Sequence, residues 1–150
     1  MTKITQAISV RSPWWWFILY GGKDVENRNW PTRFRGTVYL HSSSWWKGSE
    51  IFDDVEFGCS ITGRTWELTR EQEELKRGRG CIVGTVEIVD CVTTSASPWF
   101  FGKYGFVLRN PVAFSRPVPC KGALRFFQVP DDVLAQLETA TTITKDTGDA

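Results

Sequence analysis

The chain has 150 residues, a hydrophobic content of 41% and a formal net charge of +1. This length predicts one domain with a real core, which we expect over residues 1–140, followed by a disordered tail over 141–150. The small net charge argues against partners that require a strong overall field, whether nucleic acid or membrane. Residues 1–49 nevertheless hold seven basic side chains against two acidic ones, so a local basic patch is compatible with the sequence.

The cysteines and the single histidine do not form a metal-ligand pattern. Cys59, Cys81, Cys91 and Cys120 are scattered, without a C-x-x-C pair. We therefore expect no zinc, no other metal and no cofactor. The chain also lacks a signal peptide and any apolar run of about 18 residues, so we expect a cytoplasmic protein without a membrane partner.

The first elements are a strand over residues 6–11 and a short helix. Ser12, followed by proline, is typical of a helix start, and we expect its side chain to cap the helix. Residues 14–20 are almost wholly apolar, which predicts a two-turn helix buried nearly all round, and Gly21 with Gly22 ends it.

Residues 25–30 predict a strand on which Glu26, Arg28 and Trp30 share one face, with Lys23 at its entrance. Two interpretations fit this row of charges. It is either an ion-pair ladder on a solvated strand, or one wall of a cleft for a flat polar ligand that Trp30 stacks against.

The middle of the chain predicts a β scaffold with a helical excursion. A turn over 31–36 precedes a strand over 37–41 that ends in three serines, and helices are expected over 45–57 and from Thr69 to Gly78, separated by an irregular segment over 58–66. Residues 80–92 form the clearest strand, apolar on both faces and therefore central in its sheet. Gly84 within it suggests a bend.

The last third begins with an aromatic loop over residues 93–105. A strand over 106–108 should end at Asn110, because proline follows, and residues 117–119 should be extended. A final strand over 122–129 and a helix over 133–139 complete the prediction. The elements together favour an α+β protein, a small mixed β-barrel of five or six strands with short helices at its ends.

Several segments together resemble the ASCH domain, a relative of PUA-like folds. They are the run ISVRSPW from Ile8, the pattern G-x-K-x-x-E-x-R ending at Arg28, the R-G turn at Gly36, the strand ending V-D-C at Cys91, and Lys121-Gly122. The resemblance spans residues 6–129, and the segment S-P-W-F-x-G over 97–102 is similar to stand-alone bacterial and phage members. It implies a PUA-like barrel with a cleft for nucleic acid or a nucleobase.

On this basis the leading hypothesis is a binding module for single-stranded RNA or DNA, or for a modified base. Glu26 would orient Lys23 and Arg28, and a tryptophan would stack on a base. The candidate site comprises Lys23, Glu26, Arg28, Trp30, Arg33, Arg35, His41, Ser43, Ser97 and Trp99.

The resemblance also leaves open an enzyme, either an N4-acetylcytidine amidohydrolase or a ribonuclease, with Lys23 and Glu26 as catalytic residues and Lys23 as the base. The amidohydrolases carry Lys-x-x-Thr where this chain has Lys23-x-x-Glu26, and their later glutamate has no counterpart between Val92 and Tyr104. A third possibility is a protein-interaction domain that uses Trp45 and Trp46.

Overall fold

The computed structural model describes residues 3–45, 51–66 and 68–148, with the side chains of residues 68, 69 and 140–148 left outside the description. The elements are β1 (Gln6–Val10), α1 (Trp14–Tyr20), β2 (Val25–Arg28), β3 (Gly36–Ser42), α2 (Ile51–Thr62), α3 (Leu68–Gly78), β4 (Cys81–Val92), β5 (Tyr104–Pro119), β6 (Phe126–Gln128) and α4 (Asp131–Gly148).

The strands form one mixed sheet in the order β2-β5-β4-β3-β1-β6. Strands β1 and β3 are parallel, and the other neighbouring pairs are antiparallel. Register shifts along β4 and β5 bend these two long strands, so the sheet curls into a half-barrel. The predicted α+β class, the mixed barrel-like sheet of five or six strands and the central position of β4 are confirmed, and the observed number of strands is six.

Two groups of buried side chains lie against the sheet. The larger one surrounds α1, in which Phe17 is completely buried and Trp15 and Trp16 are nearly so. Burial of one such aromatic side chain contributes about 2–3 kcal/mol. The smaller group joins α4, through Leu137, to the other side of the sheet. The predicted plug helix therefore anchors the main core, and its exit directs Lys23 toward β2.

The start of α1 differs from the prediction. Pro13 occupies the N-cap position, and no side chain caps the helix. The Ser12 hydroxyl instead accepts a hydrogen bond from the indole Nε1 of Trp15 at 2.8 Å. A buried indole N–H needs an acceptor, and Ser12 is the acceptor one helical turn away.

The prediction that a strand ends at Asn110 is wrong, because β5 runs through it. Asn110 adopts φ +52°, where the pairing with β4 shifts register between Arg109 and Val112. The long partner strand β4 supplies hydrogen bonds on both sides of this irregularity, which outweighs the local break at Pro111. The last strand is shorter than predicted, and residues 121–125 form an exposed loop.

The helical excursion also differs in its bounds. Helix α2 continues to Thr62, into the segment predicted to be irregular, whereas α3 ends at Gly78 as expected. The start of the helix predicted over 45–57 falls on residues 46–50, including Trp46, which lie outside the described residues. Helix α4 is longer than predicted, and the disorder expected over 141–150 stays a prediction. Within the described part of the chain, no helix has the length and apolar character needed to cross a membrane.

Candidate ligand-binding cleft

A cavity of about 1370 Å³ opens beside α1, between the β1–β3 side of the sheet, β2 and the 121–125 loop. Its lining includes five basic residues and two acidic ones: Arg11, Lys23, Arg28, Lys121, Arg125, Glu26 and Asp54. The modest net charge of the whole chain therefore conceals a locally basic surface.

A buried ion triad lies in this cavity. The Glu26 carboxylate accepts hydrogen bonds from Nζ of Lys23 at 3.1 Å and from Nη2 of Arg28 at 3.0 Å. The side chain of Lys23 is 4% exposed and that of Glu26 is 12% exposed. Lys23 also donates to the carbonyl of Val25. The charges that the sequence placed on one face of this strand are therefore paired with each other and buried, and they do not form an ion-pair ladder on a solvated strand.

The charges around Glu26 determine its ionisation. Burial by itself raises the pKa of a carboxyl group, but the adjacent charges and hydrogen bonds of Lys23 and Arg28 outweigh burial and hold the pKa of Glu26 below its ordinary value. The carboxylate stays ionised at neutral pH. It fixes both cations in place, since an ion pair out of contact with water is screened only weakly.

Arg28 connects the triad to β1 and has one unpaired donor. Its Nη2 donates to the carbonyl of Ser9 at 2.8 Å as well as to Glu26. Its Nε is buried and has no hydrogen-bond partner among the described residues. A buried donor without an acceptor is costly, so Nε of Arg28 is an unsatisfied polar group beside the cavity.

Asn27 holds the aromatic loop against β2. Its side-chain amide donates to the carbonyl of Trp99 at 2.9 Å and accepts from the N–H of Phe101 at 2.8 Å. The hydroxyl of Ser97 donates to Asp24 at 2.6 Å and accepts from the N–H of Trp99. These bonds place Trp99 in the core, 4% exposed and 5.6 Å from the Phe17 ring, and leave Phe101 53% exposed.

Aromatic rings from three elements form one wall of the cavity. Trp14 from α1 lies edge-on to Phe57 from α2, and Phe57 lies edge-on to Phe101. Nζ of Lys23 lies 5.9 Å from the centre of the Trp14 ring. Phe57 and Phe101 are both exposed, so this wall offers apolar faces to a ligand.

The opposite rim is basic. Lys121 and Arg125 are exposed in the 121–125 loop, and the guanidinium of Arg125 stacks 4.8 Å from the centre of the Trp30 ring. Trp30 also contacts the rings of Phe106 and Phe126 edge-on. Its free face is therefore covered by Arg125.

His41 is buried between two strands and a loop. It is 1% exposed, and it lies beside Ser9 because these residues are register partners on the parallel strands β3 and β1. Its Nδ1 is 2.9 Å from the Ser9 hydroxyl, and its Nε2 is 2.6 Å from the carbonyl of Cys120. Burial lowers the pKa of His41 and outweighs the opposing effect of that carbonyl, so the ring is neutral at pH 7. Both hydrogen-bond partners therefore come from outside the serine run that directly follows His41 in the sequence.

Most of the predicted site residues line this cavity, and three do not. Those in the lining are Lys23, Glu26, Arg28, Trp30, His41, Ser43 and Trp99. Arg33 and Arg35 are exposed elsewhere, and Arg35 binds the carbonyl of Phe34 and pairs with Asp90. Ser97 is occupied by Asp24 and shapes the loop.

Sequence reasoning missed Ser9, Trp14, Phe57, Phe101 and Arg125 as lining residues. Only Trp14 and Phe101 had a sequence signal, as members of aromatic runs. Trp45 is 50% exposed with the Arg11 guanidinium 5.1 Å from its ring centre, while Trp46 lies outside the described residues. No cluster of His, Cys, Asp and Glu suited to a metal ion occurs in the described ranges.

Comparisons with known proteins point to one family. The model of the ASCH domain matches residues 8–108. Activating signal cointegrator 1 from Homo sapiens is 23% identical over 124 residues, which cover 77% of this chain but only 20% of that protein. This chain thus spans about a fifth of that relative.

Solved structures with a similar fold come from Zymomonas mobilis. The crystal structure of its ASCH protein has a TM-score of 0.49 and 12% identity, with 89% of this chain and 93% of that chain covered. A point variant of the same protein has a TM-score of 0.50 and 10% identity, with 91% and 98% covered. At such identity the likeness concerns the fold alone.

Proposed function

This chain belongs to the ASCH domain family, and we propose that its cleft binds single-stranded nucleic acid or an unstacked nucleobase. The observation that carries the proposal is the buried triad of Lys23, Glu26 and Arg28 in a cavity with an aromatic wall on one side and a basic rim on the other. A nucleotide has a complementary group for each of these three features: polar base edges for the triad, a flat ring for the aromatic wall and a phosphate for the basic rim.

The base would lie against the aromatic wall. Phe101 and Phe57 are the exposed rings there, whereas Trp99 is buried in the core. A base stacked on such a ring gains about 1–3 kcal/mol. The Arg28 guanidinium, which lines the cavity in an orientation fixed by Glu26, would donate to an acceptor on the base edge.

The backbone would follow the basic rim. Lys121, Arg125 and Arg11 are exposed at the cavity, and each neutralised phosphate of a single strand contributes a slope of about −0.7 to the dependence of log K on log salt. The cavity is also larger than the roughly 300–1,000 Å³ of typical small-molecule sites, which leaves space for more than one nucleotide.

Hydrolysis with Lys23 as the base is the alternative left open by the sequence, and it has less support. Nζ of Lys23 already donates to two protein oxygens, one of them on Glu26. A cytoplasmic location remains part of the proposal and is in keeping with the four free cysteines.

The test is fluorescence anisotropy with labelled single-stranded RNA and DNA of one sequence, competed by nucleosides including N4-acetylcytidine. We expect Lys121→Ala and Arg125→Ala to weaken binding about 3- to 10-fold and to reduce the salt slope by about 0.7 each. Arg116→Ala is the matched control, since Arg116 is exposed on β5 and does not line the cavity.

Arg33→Ala tests whether the phosphates contact the basic residues of the 121–125 loop or the arginines that the sequence alone suggested. An effect as large as that of Lys121→Ala would move the phosphate path away from the 121–125 loop. Equal losses in all variants, Arg116→Ala included, would contradict binding in this cleft. Chromatography of each mixture should return the ligand unchanged, and cleaved or deacetylated product would show that the cleft hydrolyses this ligand, whichever side chain acts as the base.

A further inference from the structure

We infer a second activity in the same cavity: Ser9 is a nucleophile for acyl transfer, with His41 as its general base and Arg28 as the cation that stabilises the oxyanion. Nothing in the sequence marked Ser9 as a nucleophile, because its partner is 32 residues away and is brought to it by the parallel pairing of β1 with β3.

The hydrogen bonds determine which nitrogen of His41 carries the proton. The carbonyl of Cys120 can only accept, so Nε2 of His41 must donate to it across the 2.6 Å contact. The other nitrogen, Nδ1, then presents its lone pair to the Ser9 hydroxyl at 2.9 Å. A nucleophile bonded to a base that is itself oriented by a third group is the arrangement that activates a serine. Burial lowers the pKa of His41 and so keeps this lone pair free at neutral pH.

The pair is open to the cavity because residue 122 is glycine. A Cβ on Gly122 would lie 2.6 Å from Cε1 of His41 and 3.4 Å from the Ser9 hydroxyl. Ser9, His41 and Gly122 all belong to the cavity lining. The missing side chain therefore leaves space over the hydroxyl where an acyl group can approach.

Arg28 supplies positive charge beside the nucleophile. Its Nη2 bonds the main-chain carbonyl of Ser9 at 2.8 Å, and its Nε remains a buried donor without a partner. A preorganised donor in a site shielded from water stabilises the negative charge that develops on a carbonyl oxygen under attack.

The reaction that fits these groups is the transfer of an acyl group from an ester. The Ser9 oxygen attacks the carbonyl carbon and its proton passes to Nδ1 of His41, which gives a tetrahedral intermediate whose oxyanion faces Arg28. Collapse breaks the bond to the leaving alcohol, which takes the proton from His41. Water then attacks the acyl-serine, His41 accepts a proton from that water and returns it to the Ser9 oxygen, and a carboxylic acid leaves.

The test uses p-nitrophenyl acetate as the probe, which makes the result independent of nucleic-acid binding. We expect p-nitrophenolate release from the wild type and an acetyl group on the peptide that contains Ser9. Ser9→Ala should remove that adduct and lower the release rate about 100-fold or more. Ser115→Ala is the matched control, an exposed serine on β5 outside the cavity lining that should change neither readout.

Two further variants separate activation from folding. His41→Gln should lose the adduct while Ser9 remains, and circular dichroism tells whether it folds. Gly122→Ala keeps both reacting side chains and places a methyl group over them, so it should lower acylation whatever His41→Gln does. An unmodified Ser9 in the wild type, acetylation confined to lysines, or equal rates in the wild type and Ser9→Ala would overturn the inference.

Discussion

Replacing Glu26 by glutamine tests the buried triad most directly. Glutamine keeps the shape of the side chain but removes the one negative charge that lies within 3.1 Å of Lys23 and 3.0 Å of Arg28. Two cations, only 4% and 18% exposed, would then remain without a counter-charge. We expect a large loss of stability, because uncompensated buried charge cannot be solvated.

The size of the loss follows from the distances. Two unit charges about 3 Å apart interact with roughly 5 kcal/mol at an effective dielectric constant of about 20, and the cost of removing the ions from water offsets part of this. Removal of one partner from a buried pair typically costs about 3–5 kcal/mol. A domain has about 5–15 kcal/mol of stability in total. The midpoint of thermal unfolding should therefore fall by about 10 °C.

Urea unfolding and thermal melts of the two proteins measure this loss. The matched control is Glu73→Gln, which removes the charge from an exposed pair in which Glu73 lies 3.6 Å from Lys76, so the midpoint should hardly change. A loss for Glu26→Gln of about 1 kcal/mol or less would refute the reasoning, since it would mean that water reaches the triad. The same argument applies to Lys23, which on a solvated strand face could have been removed at little cost.

Three further predictions concern acid, the aromatic loop and α2. Burial raises the pKa of Glu26, but its two cationic partners outweigh burial and hold the pKa below the ordinary 4.5. The triad's contribution to stability is therefore present above pH 4.5 and is lost as the pH falls through the pKa of Glu26 in the folded protein. Urea midpoints measured across an acid series should show this loss in the wild type and not in Glu26→Gln. Asn27→Ala removes both bonds to the 97–102 loop and should cost about 1–3 kcal/mol while speeding hydrogen exchange at the Phe101 amide; unchanged exchange would contradict the anchoring role. Gly58→Ala places a methyl group 2.3 Å from the Phe17 ring and should cost about 1–3 kcal/mol in a thermal melt, and a neutral result would show that α2 packs less closely on α1.

Local signals were sufficient where an element depends on its own residues. Helix α1 was predicted at its observed bounds, because an apolar run between proline and two glycines determines it without help from distant residues. The alternation along β2 likewise placed Glu26 and Arg28 on one face, and the structure joins them with Lys23. The placement of β4 in the middle of the sheet followed from its apolar residues on both faces.

Local sequence signals were misleading where contacts with residues far along the chain determine the structure. Asn110 and Pro111 have the composition of a strand end, but pairing with β4 carries β5 past them to Pro119. Arg33 and Arg35 have the chemistry of phosphate contacts, but they are exposed outside the cavity lining. Trp99 belongs to an aromatic loop, yet Asn27 and the core hold it buried while Phe101 is left exposed.

The sequence by itself determined the fold class, the plug helix and the charged row, because periodicity and turn residues act over a few positions. Only the tertiary structure decided that this row is buried, that an aromatic wall and a basic rim face each other across a cavity, and that Ser9 meets His41. These juxtapositions depend on strand register and loop closure between residues far apart in the chain, and no spacing along the sequence records them.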